Sequence, residues 1–81
     1  MAQIEAIEAR VQEVMRRVLH LPELSIHRAL TAKDVVEWDS MAHINLIIEI
    51  EREFSMHFDL DELESMQNVG ALIDVIAQRT P

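Results

Sequence analysis

Cysteine is absent from this chain of 81 residues, and glycine occurs once, as Gly70. Without cysteine there is no disulfide framework, no thiolate nucleophile and no cysteine-based zinc or iron site. The fold must stand on its core alone, at a length where one hydrophobic core is only just sufficient and a second domain is excluded. With its one glycine far along the chain there is no G-x-S-x-G elbow, which sets a serine hydrolase aside. Positive charge is also scarce: seven Lys and Arg against 15 Asp and Glu leave a formal net charge of minus 8. Such a chain repels nucleic acid and anionic lipid, and its partners should present positive patches. No apolar run approaches the roughly 20 residues that span a membrane. The start Met1-Ala2-Gln3-Ile4-Glu5 has no basic region followed by an apolar one, so a cytoplasmic location with no membrane insertion is expected. His20, His27, His43 and His57 lack the i, i+4 pairing or companion carboxylate motif of a metal site, and no metal is expected.

What is present is 49% apolar residues at helical spacing, which argues for a globular fold despite the high charge. Ile4, Ile7, Val11, Val14 and Val18 recur at steps of three and four and predict a first helix from Ile4 to Leu19. Leu21-Pro22 breaks that pattern, and from His20 to Asp39 no periodicity is sustained. A long ordered loop is expected there, anchored through Leu24, Ile26, Leu30, Val35 and Val36; loops of this length in small domains tend to be functional. Asp39 is the N-cap of a second helix running from about Ser40 to Phe54. Asp59-Leu60-Asp61-Glu62 has the capping-box pattern of a short third helix through Met66. Asn68 caps a last helix with Val69, Leu72, Ile73 and Ile76 inward, ending near Arg79 before Thr80-Pro81. The fold class is all-α: a single-domain four-helix bundle over residues 1–81, with a long loop between helices one and two and a short third helix.

The second helix is apolar on two opposite sides. With Met41 at zero and roughly 100° per residue, His43, Leu46, Ile47, Ile50 and Phe54 fall at roughly 140° to 240°, the width of a core face. Met41, Ile44 and Ile48 fall within roughly 60° of zero, beginning beside Ser40. An aliphatic strip without a core partner is a contact surface or a pocket wall, unless another segment covers it. A serine at a helix start is commonly only a cap. Here Asp39 already supplies that cap, and a phosphate on Ser40 would lie near unpaired N–H groups and the positive end of the helix dipole. Ser40 as a self-activated nucleophile is the poorer reading, because it needs a general base within hydrogen-bond reach and oxyanion donors, and His43, three residues on, leans toward the core. Trp38, just ahead of the helix, either staples the loop to the core or flanks a group on Ser40.

Asp39-Ser40-Met41, with Ile44, Leu46, Ile47, Ile50, Glu51 and Phe54 following, resembles the Asp-Ser-Leu region of acyl carrier proteins. The resemblance extends over essentially the whole chain, to the closing Asn68-Val69-Gly70 helix, and rests on motif, helical pattern, length and acidity jointly. It implies that a separate phosphopantetheinyl transferase esterifies Ser40 with 4′-phosphopantetheine and that acyl groups ride on the terminal thiol as thioesters. The protein would itself catalyse nothing. An acyl chain gains about 0.8 kcal/mol per buried methylene, so shelter between helices is expected, with Met41 and Ile44 lining the entry. Acyl-loading and acyl-processing enzymes with basic docking patches would meet Glu37, Asp39, Glu49 and Glu53, with Met41, Ile44 and Ile48 as apolar contacts. A monomer is expected.

The sequence departs from the fatty-acid carriers at several places. Trp38 stands where they have a small residue, Ala42 and Asn45 where acids are common, and Ser55 where glycine often closes the helix. Trp-Asp-Ser followed by Ala-His-Ile-Asn-Leu is more similar to free-standing carriers of specialised lipid, polyketide or cell-surface assembly pathways. An aminoacyl or peptidyl carrier keeps the same arm with another cargo. A reading of another class is an acidic helical adaptor that binds a basic partner through Met41, Ile44 and Ile48 with no prosthetic group.

Overall fold

The stepwise apolar residues of the N-terminal segment wind into α1 (Ile4–Leu19) in the computed structural model, which describes residues 4–79. Met1 to Gln3, on which the reading of the N-terminus partly falls, and Thr80-Pro81 lie outside the described residues. The chain continues through α2 (Ser40–Phe54), α3 (Leu60–Ser65) and α4 (Val69–Arg79), and no strand occurs among the described residues. Helix α1 packs against both α2 and α4. Val11, Val14, Met15, Leu46, Ile50, Val69, Ile73 and Ile76 are sealed at the centre. Val69, Leu72, Ile73 and Ile76 all face inward, as their spacing predicts. In α1 the buried line includes Met15 and Leu19, while Val18 is only half-buried against the core.

The His20 to Asp39 connection is ordered by side chains of its neighbours rather than by a ladder of its own. Gln12 Oε1 accepts the Ile26 N–H at 3.0 Å, and Arg16 Nε donates to the Leu24 carbonyl at 2.7 Å. Leu30, Val35 and Trp38 plunge into the core, with Leu24 and Ile26 half-buried above them. A short 3₁₀ turn, Ala32–Asp34, is closed by Asp34, whose carboxylate accepts the Thr31 N–H at 3.0 Å. Val36 corrects the sequence expectation: it is 93% exposed, because the turn that buries Val35 and Trp38 throws the two residues between them outward.

The loop is also clamped to the start of α4. The first N–H groups of a helix have no intrahelical acceptor. Here Val69 donates to the Leu30 carbonyl and Gly70 to the Arg28 carbonyl, each at 2.9 Å. A Cβ at Gly70 would stand 3.0 Å from both Cβ and the carbonyl oxygen of Arg28. The only glycine of the chain is thus spent on this close approach.

Helix α2 closes on Ser55, whose φ of 51° and ψ of 50° are left-handed. A non-glycine residue there bears a steric cost that glycine escapes. Ser55→Gly should therefore raise stability by about 0.5–1 kcal/mol, measured as a shift of the urea midpoint with an unchanged slope.

Beyond α2, Glu62 accepts the Asp59 N–H at 2.9 Å, the capping box its spacing predicts, and α3 ends at Ser65 with Met66 as its C-cap. Arg79, at the end of α4, reaches Glu62, Asp59 (3.0 Å) and the His57 carbonyl (3.3 Å), tying α4 to α3. The Asp59 N–H first, and then Arg79, hold the Glu62 carboxyl below its ordinary value of 4.5. A depressed carboxylate stabilises the fold above its unfolded pKa and loses that contribution as pH falls through the folded one. Glu62→Gln should therefore narrow the stability difference between neutral pH and the acid side of 4.5, read from denaturation midpoints across that range.

Candidate functional site

Ser40 occupies the first turn of α2, where Asp39 fixes the helix start. The Asp39 carboxylate accepts the Ala42 N–H at 2.8 Å, and its carbonyl accepts the His43 N–H at 2.8 Å. The N–H groups of Ser40 and Met41 are left without intrahelical acceptors, at the positive end of the helix dipole. Ser40 is exposed, and no residue among those described holds its hydroxyl in a hydrogen bond. The other serines are placed differently. Ser25 lies in the loop, Ser55 closes α2, and Ser65 donates to the Glu62 carbonyl at 3.0 Å.

Trp38 is both of the things its position allows. Its ring is buried to 7% exposure and staples the loop to the core, and it also walls the space in front of Ser40. Its indole Nε1–H donates to His43 Nδ1 at 3.1 Å, with the two rings stacked at a centroid distance of 6.0 Å and an interplanar angle of 27°. Sequence spacing gave no sign of this pair, because Trp38 precedes the helix and the two residues share no helical face.

A hollow of about 600 Å³ is lined by Ala32, Trp38, Asp39, Ser40, His43 and Ile44. A second, of about 410 Å³, lies between α2 and α3 and is lined by His43, Ile44, Ile47, Ile48, Leu63 and Glu64. The two share His43 and Ile44, so the hollow at Ser40 adjoins an aliphatic groove. Met41 lines neither and is 70% exposed, which corrects the expectation that it lines the entry; Ile44 lines both hollows. The turn of α2 sends the Met41 side chain to solvent instead.

Met41, Ile44 and Ile48 remain 70%, 56% and 45% exposed, so no described segment covers the second apolar strip. The acids flanking it behave less simply. Glu53 pairs with Arg10 Nε at 3.0 Å, its carbonyl accepts from the same guanidinium at 2.7 Å, and Arg10 stacks over Phe54 at 4.3 Å. Glu49 lies 3.7 Å from Arg17 and 3.3 Å from Arg52. On the helical wheel these glutamates sit roughly 80° and 120° from Met41, on the side turned to α1. They face arginines of their own chain rather than open solvent. Glu37 is exposed with no such partner among the described residues. The outward face of α2 is therefore chiefly aliphatic near Ser40, with its acidity displaced to the edges.

The described residues hold no group of three or more His, Asp or Glu able to bind a metal ion, and no helix long and apolar enough to cross a membrane. A protein-family model described as the phosphopantetheine attachment site matches residues 9–76. No solved structure matches the chain.

Proposed function

Because the chain belongs to the phosphopantetheine attachment-site family, the carriers of covalent 4′-phosphopantetheine, we propose that it is an acyl carrier protein with Ser40 as the attachment residue. The observation that carries this reading is the exposed Ser40 hydroxyl, unbonded among the described residues, at a hollow that adjoins an aliphatic groove. The residues present fit the group. Backbone N–H groups of Ser40 and Met41 and the dipole of α2 favour a phosphodiester anion, and Asp39 caps the helix without using the serine. When bound, the arm supplies the thiol on which a carboxylic acid travels as a thioester.

The groove favours an acyl cargo over an aminoacyl one. Ile44, Ile47, Ile48 and Leu63 line it. Each methylene moved from water against such walls gains about 0.8 kcal/mol, whereas a charged ammonium placed there loses its hydration. Trp38 ahead of the motif, and Ala42 and Asn45 in place of acids, support a specialised lipid or polyketide-type pathway. The chain catalyses nothing itself; a phosphopantetheinyl transferase and separate acyl-loading and acyl-processing enzymes act on it. Those partners meet Met41, Ile44 and Ile48, steered by the net charge of minus 8 and by Glu37. Glu49 and Glu53 join only by giving up Arg10, Arg17 and Arg52.

The test is incubation with coenzyme A and a transferase. The Ser40 oxygen forms a new P–O bond, the pyrophosphate bond of coenzyme A breaks to release the nucleotide bisphosphate, and the hydroxyl proton leaves to a base of the transferase. Intact mass should rise by about 340 Da, on a proteolytic fragment containing Ser40. A folded sample with no mass gain, or with the mass on another serine, rejects the assignment. Docking has its own readout. Ile48→Glu should fold normally yet lose roughly tenfold or more in kcat/KM with an acyl-loading enzyme, the scale of a central interface contact.

A further inference from the structure

The Trp38–His43 pair does more than pack, because its chemistry fixes a proton. An indole N–H only donates, so His43 Nδ1 must be the acceptor in the 3.1 Å bond between them. A neutral imidazole that accepts at Nδ1 carries its proton on Nε2. His43 thus has one free donor, and no described residue accepts from it. Among the described residues no buried side-chain nitrogen lacks a partner, so Nε2 of the half-buried His43 is not sealed from solvent. The ring lines the same hollow as Ser40. Residues three apart on a helix are surface neighbours, with Cβ atoms about 5–6 Å apart. A phosphorus one bond beyond the Ser40 oxygen falls within reach of an imidazole on the next turn.

We infer that His43 is a contact for the phosphodiester on Ser40, donating Nε2–H to a non-bridging oxygen, with Trp38 as the positioning residue that holds the ring and its tautomer. This rests on Ser40 being the attachment residue. The arm is then anchored at its root on the side of Ser40 that leads past Ile44 into the groove, rather than left to project freely from the helix start.

The experiment uses ¹⁵N-labelled full chain before and after loading from coenzyme A, with intact mass checked first. Long-range ¹H–¹⁵N spectra should show His43 as the Nε2–H tautomer in both forms. Loading should shift the His43 Nε2 resonance and leave that of the exposed His27, whose side chain has no partner among the described residues, unmoved. The ³¹P resonance of the loaded protein should move in His43→Leu and return toward the wild-type position in His43→Gln, whose amide both accepts from Trp38 and donates. Trp38→Phe should move it part of the way. A sample that takes up no mass overturns the Ser40 assignment and this contact with it. A loaded sample in which His43 is unresponsive, or carries its proton on Nδ1, overturns the contact alone. Should His43→Leu fail to fold, the wild-type shift on loading decides by itself.

Discussion

Ser40→Ala is expected to fold as the wild type does and to take up no arm at all. Both halves follow from how α2 begins. The cap comes from Asp39, whose carboxylate accepts the Ala42 N–H, while the Ser40 hydroxyl holds nothing among the described residues. Removing it exposes no orphaned donor, so stability should stay within about 0.5 kcal/mol of wild type, the usual range for surface substitutions. The mass gain on treatment with coenzyme A and a transferase should fall to zero. Asp39→Ala is the contrasting variant: losing an N-cap typically costs about 1 kcal/mol. Its loading should slow rather than vanish, because the serine remains but its helix start frays. Thermal melts alongside intact-mass time courses separate the two. A destabilised Ser40→Ala would show that the serine is a structural cap after all.

Leu46→Ala should be the most damaging change to the fold. Leu46 is fully buried on the face of α2 opposite the Met41 strip, in a helix that packs against α1. Truncating a sealed leucine costs about 2–5 kcal/mol, the transfer of the lost atoms plus the cavity left behind. Total stability of small domains lies toward the low end of about 5–15 kcal/mol. The variant should therefore lose much of its cooperative unfolding transition in urea. Its loading should fall with the folded fraction and recover on cooling toward the temperature of maximum stability. A variant that stayed fully folded would place the weight of the core elsewhere, on Met15 and the α4 residues.

Most of the fold was legible because helices write their burial at a spacing of three and four residues. The line Val69, Leu72, Ile73 and Ile76 is buried as read, and Asn68 caps α4 by accepting the Ala71 N–H at 2.8 Å. The long loop was harder, since its order comes from Gln12, Arg16 and the α4 N-terminus reaching into it from elsewhere in the chain. Periodicity carries no record of such reach, which is why Val36 was misplaced. At the site, the place of Ser40 at the helix start and the second apolar strip follow from the sequence, whereas the strip's lying uncovered among the described residues needs the packed helices. The pairing of Glu49 and Glu53 with Arg10 and Arg17 does not, because it depends on which face α1 turns toward α2. Trp38 and His43 find each other across a helix boundary, where neither helical nor loop patterns apply.

Ile44 and Ile48 belong to two surfaces at once, the exposed strip of α2 and the wall of the groove between α2 and α3. On the proposed function, an enzyme that gripped these side chains would also press on the groove, and a cargo that wedged them apart would alter the handle by which the protein is grasped. Thermodynamic reciprocity makes the two effects equal in size. On that reading a loaded carrier and an empty one would differ in their affinity for a partner by the factor through which the partner changes the grip on the cargo, and two isoleucines would set its size.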